Sequence, residues 1–185
     1  LDLIEKYPSL LESNNPEILI TIIWAMIYAG QGDKAKQLIQ HGLSLPDLKP
    51  SGYARFHYVQ GVMFTQFDAN DHEAECEVRL ALLGFREANI PTSIIAALHA
   101  HAMVLQDLGN YQEALSDLEE AAELSMQFGN IGVFAETNIA IADQLRWCGQ
   151  YERAEELYVS SLDILRRHDD PSFLFDCLNN LAALY

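Results

Sequence analysis

Basic residues are scarce in this sequence. Its 185 residues include 11 Lys and Arg against 27 Asp and Glu, which gives a formal net charge of -16. A surface that binds nucleic acid needs clustered cations to meet the phosphates. The charge balance therefore argues against nucleic acid as a partner of this segment and favours a basic or neutral partner.

Cysteines and long apolar runs are scarce as well. The three cysteines, Cys76, Cys148 and Cys177, are widely spaced and odd in number, which is typical of a reducing compartment and predicts a cytoplasmic protein. The longest apolar run, residues 18–30, is shorter than the roughly 18 to 20 residues that a membrane helix needs. We expect no membrane association. Because the sequence starts without Met and stops inside an apolar pattern, we expect it to be a piece of a longer protein.

Catalytic and metal-binding signatures are missing too. No Gly-rich phosphate loop or nucleophile elbow is present, so we expect neither enzyme activity nor a cofactor. His72 and Cys76 are four residues apart and could offer two ligands to zinc from one helix, but no second pair completes the site. His99 and His101 are two residues apart and point in different directions on a helix. We therefore expect no metal.

An internal repeat is the strongest feature that the sequence does contain. Four alanines open similar stretches at steps of 39, 40 and 40 residues: Ala35, Ala74, Ala114 and Ala154. Five residues before each stands a small or flexible residue, suited to the end of a helix: Gly30, Ala69, Gly109 and Gly149. Each repeat is therefore predicted to consist of a helix, a short turn and a second helix.

Helical periodicity runs through the whole chain. After Ala114 apolar residues recur at helical spacing and carboxylates take the other side, whereas the helix before it carries few charges. First helices should therefore pack inside, and second helices should form an acidic outer wall. The pattern predicts helices at about 2–12, 16–29, 33–43, 51–67, 71–87, 92–107, 111–127, 131–147, 151–167 and 172–185. We predict one all-α domain over residues 1–185, with repeat units at about 16–50, 51–90, 91–130 and 131–170 and a partial unit at 171–185.

These repeats resemble the tetratricopeptide repeat. Its second half is matched by Gly109, Tyr111, Ala114, Leu118 and Ala121, and again by Gly149, Tyr151, Ala154 and Tyr158. The step of about 40 residues exceeds the family's usual 34. In that respect the chain is similar to the longer repeats of kinesin light chains and of bacterial regulators of the MalT and Rap kinds. The resemblance implies a right-handed α-α superhelix of about four repeats with flanking partial repeats.

Two repeats depart from the pattern. The first has Gly32 in the place of the tyrosine and Gly42 in the place of a small alanine, and the second has Asp71 in the place of the tyrosine. We interpret these two as weaker copies of the repeat.

The resemblance also implies a concave groove, lined by first helices, that binds a peptide or protein segment. Candidate groove residues are Trp24, Phe56, Met63, His99, Met103, Asp143, Arg146 and Asn180. The alternative for each apolar candidate is a place in the core, and for Asn180 it is an exposed residue with no role. The Lys, Asn and Arg set with which some repeats clamp a carboxylate is absent, because its places hold Ile20, Trp24, Val59, Met63, His99, Met103, Ile139 and Asp143.

The sequence thus predicts a protein interaction module or scaffold without catalysis, whose partner is an amphipathic or basic segment. The alternative is a sensory or regulatory domain of a bacterial signalling protein, joined to an output domain such as a transcription regulator or a diguanylate cyclase. Self-association is a third expectation. Leu178, Leu181 and Tyr185 would be exposed on a last helix that lacks a covering partner, and a homodimer could form there.

Overall fold

The structure, a computed structural model, describes residues 8–168, 171 and 173–184. The chain divides into two compact units, residues 1–100 and residues 101–185. We name them unit 1 and unit 2 and describe each by itself. The single domain over residues 1–185, with its repeat boundaries, stays a prediction.

The described residues form nine α-helices and no strands, which confirms the all-α helical repeat class. The helices are α1 (Pro16–Tyr28), α2 (Gly32–Leu43), α3 (Pro50–Met63), α4 (Asp71–Glu87), α5 (Pro91–Asp107), α6 (Tyr111–Gln127), α7 (Ile131–Trp147), α8 (Tyr151–Arg167) and α9 (Leu174–Ala182). A 3-10 turn covers Pro8–Glu12, and a π-helical segment, Phe64–Asp68, follows α3. Odd-numbered helices are the first helices of the repeats and even-numbered helices are the second. Helix α5 contains the boundary between the two units.

The helices from α4 to α8 lie where the sequence predicts them, to within one residue. Successive second helices begin 40 residues apart, at Asp71, Tyr111 and Tyr151. The helix predicted at 51–67 ends in the π-helical segment, and α9 is shorter than the predicted 172–185. Of the helix predicted at 2–12, residues 2–7 lie outside the described part, and the rest contains the 3-10 turn.

Local signals explain why these helices start where they do. Proline occupies the first position of α1, α3 and α5, where its missing N–H costs nothing. Asparagine side chains cap several helices: Asn70 Oδ1 accepts from the N–H of Glu73, and Asn130 Oδ1 accepts from the N–H of Val133.

The turns inside the repeats depend on left-handed backbone. Gly109 has φ of 80°, and the N–H of Asn110 donates to the carbonyl of Leu105 at 2.8 Å, which closes the end of α5. The equivalent residue after α3 is Ala69, with φ of 46°. A side chain in this region is strained, and glycine is not. The predicted helix-ending role of this position is confirmed, at a conformational cost in the second repeat.

Unit 1 contains two close fits between a glycine and a phenylalanine, one in the core at Phe56 and one at the surface at Phe67. A Cβ placed on Gly42 would lie 2.2 Å from the ring of the buried Phe56, and one on Gly32 would lie 3.1 Å from the ring of Phe67. Both glycines are departures from the repeat pattern. Phenylalanine rings from the next repeat therefore fill the space that a side chain would take.

The core of unit 2 follows the repeat pattern without such exchanges. Its buried residues come from the facing sides of α6, α7 and α8, among them Ala114, Leu118, Ala142, Leu145 and Tyr158. The alanine positions of the repeat are fully buried, so the helices approach each other closely there.

Candidate functional site

In unit 1 the predicted residue Trp24 belongs to an aromatic cluster. Its ring stacks on that of Tyr28 at 5.9 Å between centroids and lies 6.2 Å from that of Tyr58 on α3. Burial raises the pKa of Tyr58, and the neighbouring Tyr28 raises it further. Trp24 is half-buried while Tyr28 is exposed. The cluster therefore joins the core of unit 1 to its surface.

The structure corrects the prediction that Phe56 and Met63 line the groove. Their exposed fractions are 0% and 2%, so both belong to the core, and neither side chain is available to a ligand. The reason is the π-helical segment Phe64–Asp68. A π turn contains about one residue more than an α turn. When positions on α3 are counted back from Ala74 across this turn, the residue found on each face is therefore one position earlier than the repeat step predicts. Val62, the residue before Met63, is half-buried instead.

His99 lies in unit 1, on α5, and is half-buried. Burial lowers the pKa of its imidazole, so the neutral form prevails at pH 7. The His99 side chain is therefore uncharged at pH 7.

In unit 2 three of the predicted residues form one network around Asp143. Its Oδ1 accepts a hydrogen bond from the hydroxyl of Tyr158 at 2.5 Å, and its Oδ2 accepts one from Nδ2 of Asn180 at 3.1 Å. The Nη2 atom of Arg146 lies 3.8 Å from Oδ1. Asp143 thus ties α7 to both α8 and α9.

Burial and the contacts inside this network shift the pKa values of Asp143 and Tyr158. Burial raises the pKa of the Asp143 carboxyl, and the Tyr158 hydroxyl and Arg146 oppose that rise. Burial and the Asp143 carboxylate both raise the pKa of Tyr158. The Arg146 guanidinium also lies over the Trp147 ring, 5.1 Å from its centroid. Asp143, Arg146 and Asn180 therefore hold one another in place.

Tyr158 is the member of this network that was not predicted as a site residue. A combined signal was present in the sequence: the fourth repeat has Asp143 where the third has Met103, and Tyr158 where the third has Leu118. One polar residue in each helix of the same pair is the pattern expected of a buried hydrogen bond.

Met103 is the predicted residue in unit 2 with the largest free surface. It is 67% exposed, although its neighbours Ala102 and Val104 are buried. Beside it, Gln144 Nε2 of α7 donates to Gln106 Oε1 of α5 at 2.6 Å. This link places the end of α5 against α7, on the same layer of helices that carries Asp143.

These contacts define one surface on unit 2, which we name the first-helix face. It is built by α5, α7 and α9, held together by the Gln106 to Gln144 and Asn180 to Asp143 hydrogen bonds. The residues that it presents are Met103, Gln106, Glu136, Asp143, Asp176 and Asn180. The face combines an exposed thioether with carboxylates, a composition suited to an amphipathic or basic ligand.

The part of the chain that the structure describes offers no support for a metal site or a membrane-spanning helix. It contains no group of three or more His, Cys, Asp or Glu arranged to hold a metal ion, and both His72 and Cys76 are exposed. No helix in that part has the length and hydropathy to cross a bilayer.

Comparison with known proteins identifies the repeat. Residues 94–125, from α5 into α6, match the tetratricopeptide repeat family. One repeat of the chain, from α5 into α6, thus matches the tetratricopeptide repeat. The predicted resemblance is thereby confirmed, and it extends to the fold of the neighbouring helices through the solved structures that follow. Among curated proteins, none matches the sequence.

Solved structures of tetratricopeptide-like repeat proteins share the fold. The apo form of RapI is 17% identical and has a TM-score of 0.79, over 91% of this chain and 62% of its own. A kinesin light chain with nearly identical TPR-like repeats, from Podospora anserina, is 16% identical with a TM-score of 0.74, over 92% of this chain and 87% of its own. The Rap conjugation gene regulator of plasmid pLS20, in complex with the Phr* peptide, is 14% identical with a TM-score of 0.65, over 88% of this chain and 51% of its own. The chain thus spans less than two thirds of both Rap proteins.

Proposed function

We propose that this chain is a protein interaction module, without catalysis of its own, that binds a peptide or protein segment on the first-helix face of unit 2. The observation that carries the proposal is Met103, which is 67% exposed between buried neighbours, on a face where hydrogen bonds fix the side chains of Gln106, Asp143 and Asn180. A flexible thioether on a rigid surface is a common anchor for a partner.

Two further observations support this function. The solved Rap regulator of plasmid pLS20, which has a similar fold, holds the Phr* peptide. The net charge of -16 favours a segment with basic side chains through long-range attraction.

The exposed Cys76 and Cys148, which form no disulfide, are consistent with a reducing compartment such as the cytoplasm.

The test is a matched pair of methionine variants. A fluorescent amphipathic helical peptide of about 14 residues, built of Leu and Lys, serves as the probe. Met103→Ala should weaken binding measured by fluorescence anisotropy, by about tenfold if the thioether is an anchor. Met126→Ala is the control, because Met126 lies on a second helix and is 52% exposed. Equal losses in both variants, or no binding to the wild type, would contradict the proposal.

We also propose self-association through α9 as a second property of unit 2. Leu178 is 41% exposed on α9, and Phe175 is exposed beside it. Leu181, which the sequence predicts to be exposed, is half-buried against the core, and Tyr185 lies outside the described residues. Leu178→Glu should therefore abolish dimers in analytical ultracentrifugation without unfolding the protein. A wild type that stays monomeric at high concentration would refute this property.

A further inference from the structure

We infer that Glu136 selects the partner, by receiving a Lys or Arg side chain of the segment bound to the first-helix face. This inference rests on the proposed function and specifies the chemistry of the same surface. The role of Glu136 follows from the charges around it.

The position of Glu136 places it on the same side of α7 as Asp143. The two residues are seven apart, which is two turns of helix, so their side chains project from one face. Asp176 on α9 lies close enough to Asp143 to raise the pKa of its carboxyl. Glu136 therefore belongs to the first-helix face, at the end of α7 that lies away from the Asp143 network.

Glu136 differs from Asp143 in having no partner among the described residues. Asp143 accepts hydrogen bonds from Tyr158 and Asn180 and lies beside Arg146, whereas Glu136 makes neither a hydrogen bond nor an ion pair there. Burial raises the pKa of the Glu136 carboxyl, with no neighbouring charge or donor to oppose the rise. A half-buried carboxylate without a partner is costly in the free protein and gains most from an incoming cation.

Three of the four arginines of unit 2 contact other residues of that unit. Residues 101–185 contain four Arg and no Lys against 15 Asp and Glu, a formal charge of -11. Arg146 lies beside Asp143 and over the Trp147 ring. Arg153 donates a hydrogen bond to Gln150, and Arg167 forms an ion pair with Asp163. The fourth, Arg166, is exposed on the last turn of α8. Because none of the described cations pairs with Glu136, a cation from a partner would find this carboxylate available, and the local excess of carboxylates favours its approach.

The experiment separates Glu136 from the general acidity of the chain. Three peptides of about 14 residues share one Leu framework and carry Lys, Gln or Glu at the remaining positions. They are titrated against wild type, Glu136→Gln and Glu119→Gln at about 0.15 M ionic strength. Glu119 is exposed on the second helix α6, so both variants change the net charge equally while only one changes the first-helix face.

The expected result is specific to one peptide and one variant. Glu136→Gln should weaken binding of the Lys peptide by about fivefold or more and leave the Gln peptide unchanged. Glu119→Gln should bind both peptides as the wild type does. A second readout is the side-chain carboxyl resonance of Glu136, whose pKa should fall when the Lys peptide is bound.

Failure of the inference is distinguishable from failure of the proposed function. If the Lys peptide binds and both variants weaken it equally, the attraction is a property of the overall charge, and the role of Glu136 is overturned. If Glu136 titrates identically with and without bound Lys peptide, the contact is absent. If none of the three peptides binds the wild type, the proposed function itself is contradicted.

Discussion

The two units use the same repeat in different ways. In unit 2 the complete helices α6, α7 and α8 each have 17 residues, and the buried positions follow the repeat pattern. In unit 1 the helices α1, α2 and α3 have 13, 12 and 14 residues, a π-helical segment extends the third, and only α4 reaches 17 residues. The charge differs as well, because residues 1–100 carry a formal charge of -5 and residues 101–185 carry -11.

The difference teaches how a repeat tolerates departures from its pattern. Unit 1 lacks two of the usual side chains, at Gly32 and Gly42, and phenylalanine rings from later helices occupy the vacated volume. At Gly42 the exchange with the buried Phe56 keeps the core full, as close packing requires. Unit 2 keeps its core regular and joins Asp143 and Tyr158 by a hydrogen bond. Departures from the pattern are therefore compensated by packing in unit 1, whereas in unit 2 a residue of the repeat pattern takes part in a polar network.

The largest effect should come from restoring the repeat residue in unit 1. Gly42→Ala places a Cβ 2.2 Å from the Phe56 ring and should lower the free energy of unfolding by about 2 to 3 kcal/mol. The equivalent residue in unit 2 is Ser161, whose buried hydroxyl has no partner among the described residues. Ser161→Ala should be neutral or stabilising. Chemical denaturation followed by circular dichroism measures both, and a stable Gly42→Ala protein would contradict the glycine-phenylalanine fit.

The next effect compares the links between first helices. Asp143→Ala should cost about 2 kcal/mol, because it leaves the Tyr158 hydroxyl and the Asn180 amide without their acceptor. In unit 1 the corresponding link is the ion pair of Glu17 and Arg55, whose carboxylate side is exposed. Glu17→Ala should change the unfolding free energy by less than about 0.5 kcal/mol. Equal losses in the two variants would remove the distinction between the units.

A smaller pair of effects concerns the turns. Gly109→Ala should destabilise by about 1 kcal/mol, since its left-handed backbone disfavours a side chain although space for the Cβ is open. Ala69→Gly should stabilise by about the same amount, because Ala69 adopts the left-handed region with a side chain present. Thermal unfolding of the two variants should give melting temperatures that move in opposite directions. The same direction for both would argue against the assigned turn conformations.

The smallest effect is the pH dependence of Glu136. The pKa of this carboxyl is raised in the folded state, so its ionisation opposes folding, and the penalty appears as pH rises through the folded pKa. Glu136→Gln should therefore stabilise the free protein by about 0.5 kcal/mol at neutral pH. The advantage should shrink as the pH is lowered from about 7.5 to about 5. Glu119→Gln, with the same charge change, should show no such trend.

Much of the fold could be predicted from the sequence, for a physical reason. The repeat step, the glycines at Gly109 and Gly149 and the helical periodicity act together, so α4 to α8 lie where the pattern predicts them. The π-helical segment Phe64–Asp68 left no such signal, since it depends on how α3 packs. That single extra residue reversed the exposure expected for Phe56 and Met63.

The candidate site could be predicted in part. Helical position indicates which residues lie on one layer of helices, and the structure brings three of the predicted residues, Asp143, Arg146 and Asn180, into contact. It does not reveal whether a charge is already paired inside the protein. Among the described residues Asp143 is paired and Glu136 is not, a difference set by Tyr158 and Asn180 on other helices. The residue best suited to a ligand therefore emerged from the contacts.

The central claim, that a partner segment binds the first-helix face of unit 2, is tested most directly by methionine methyl NMR. The chain has four methionines: Met26 and Met63 are buried in unit 1, and Met103 and Met126 are exposed in unit 2. On titration with the Leu and Lys peptide, the account predicts that the Met103 methyl resonance shifts most, with Met126 nearly unchanged. A shift of Met126 with a silent Met103 would place binding on the second helices and contradict the account.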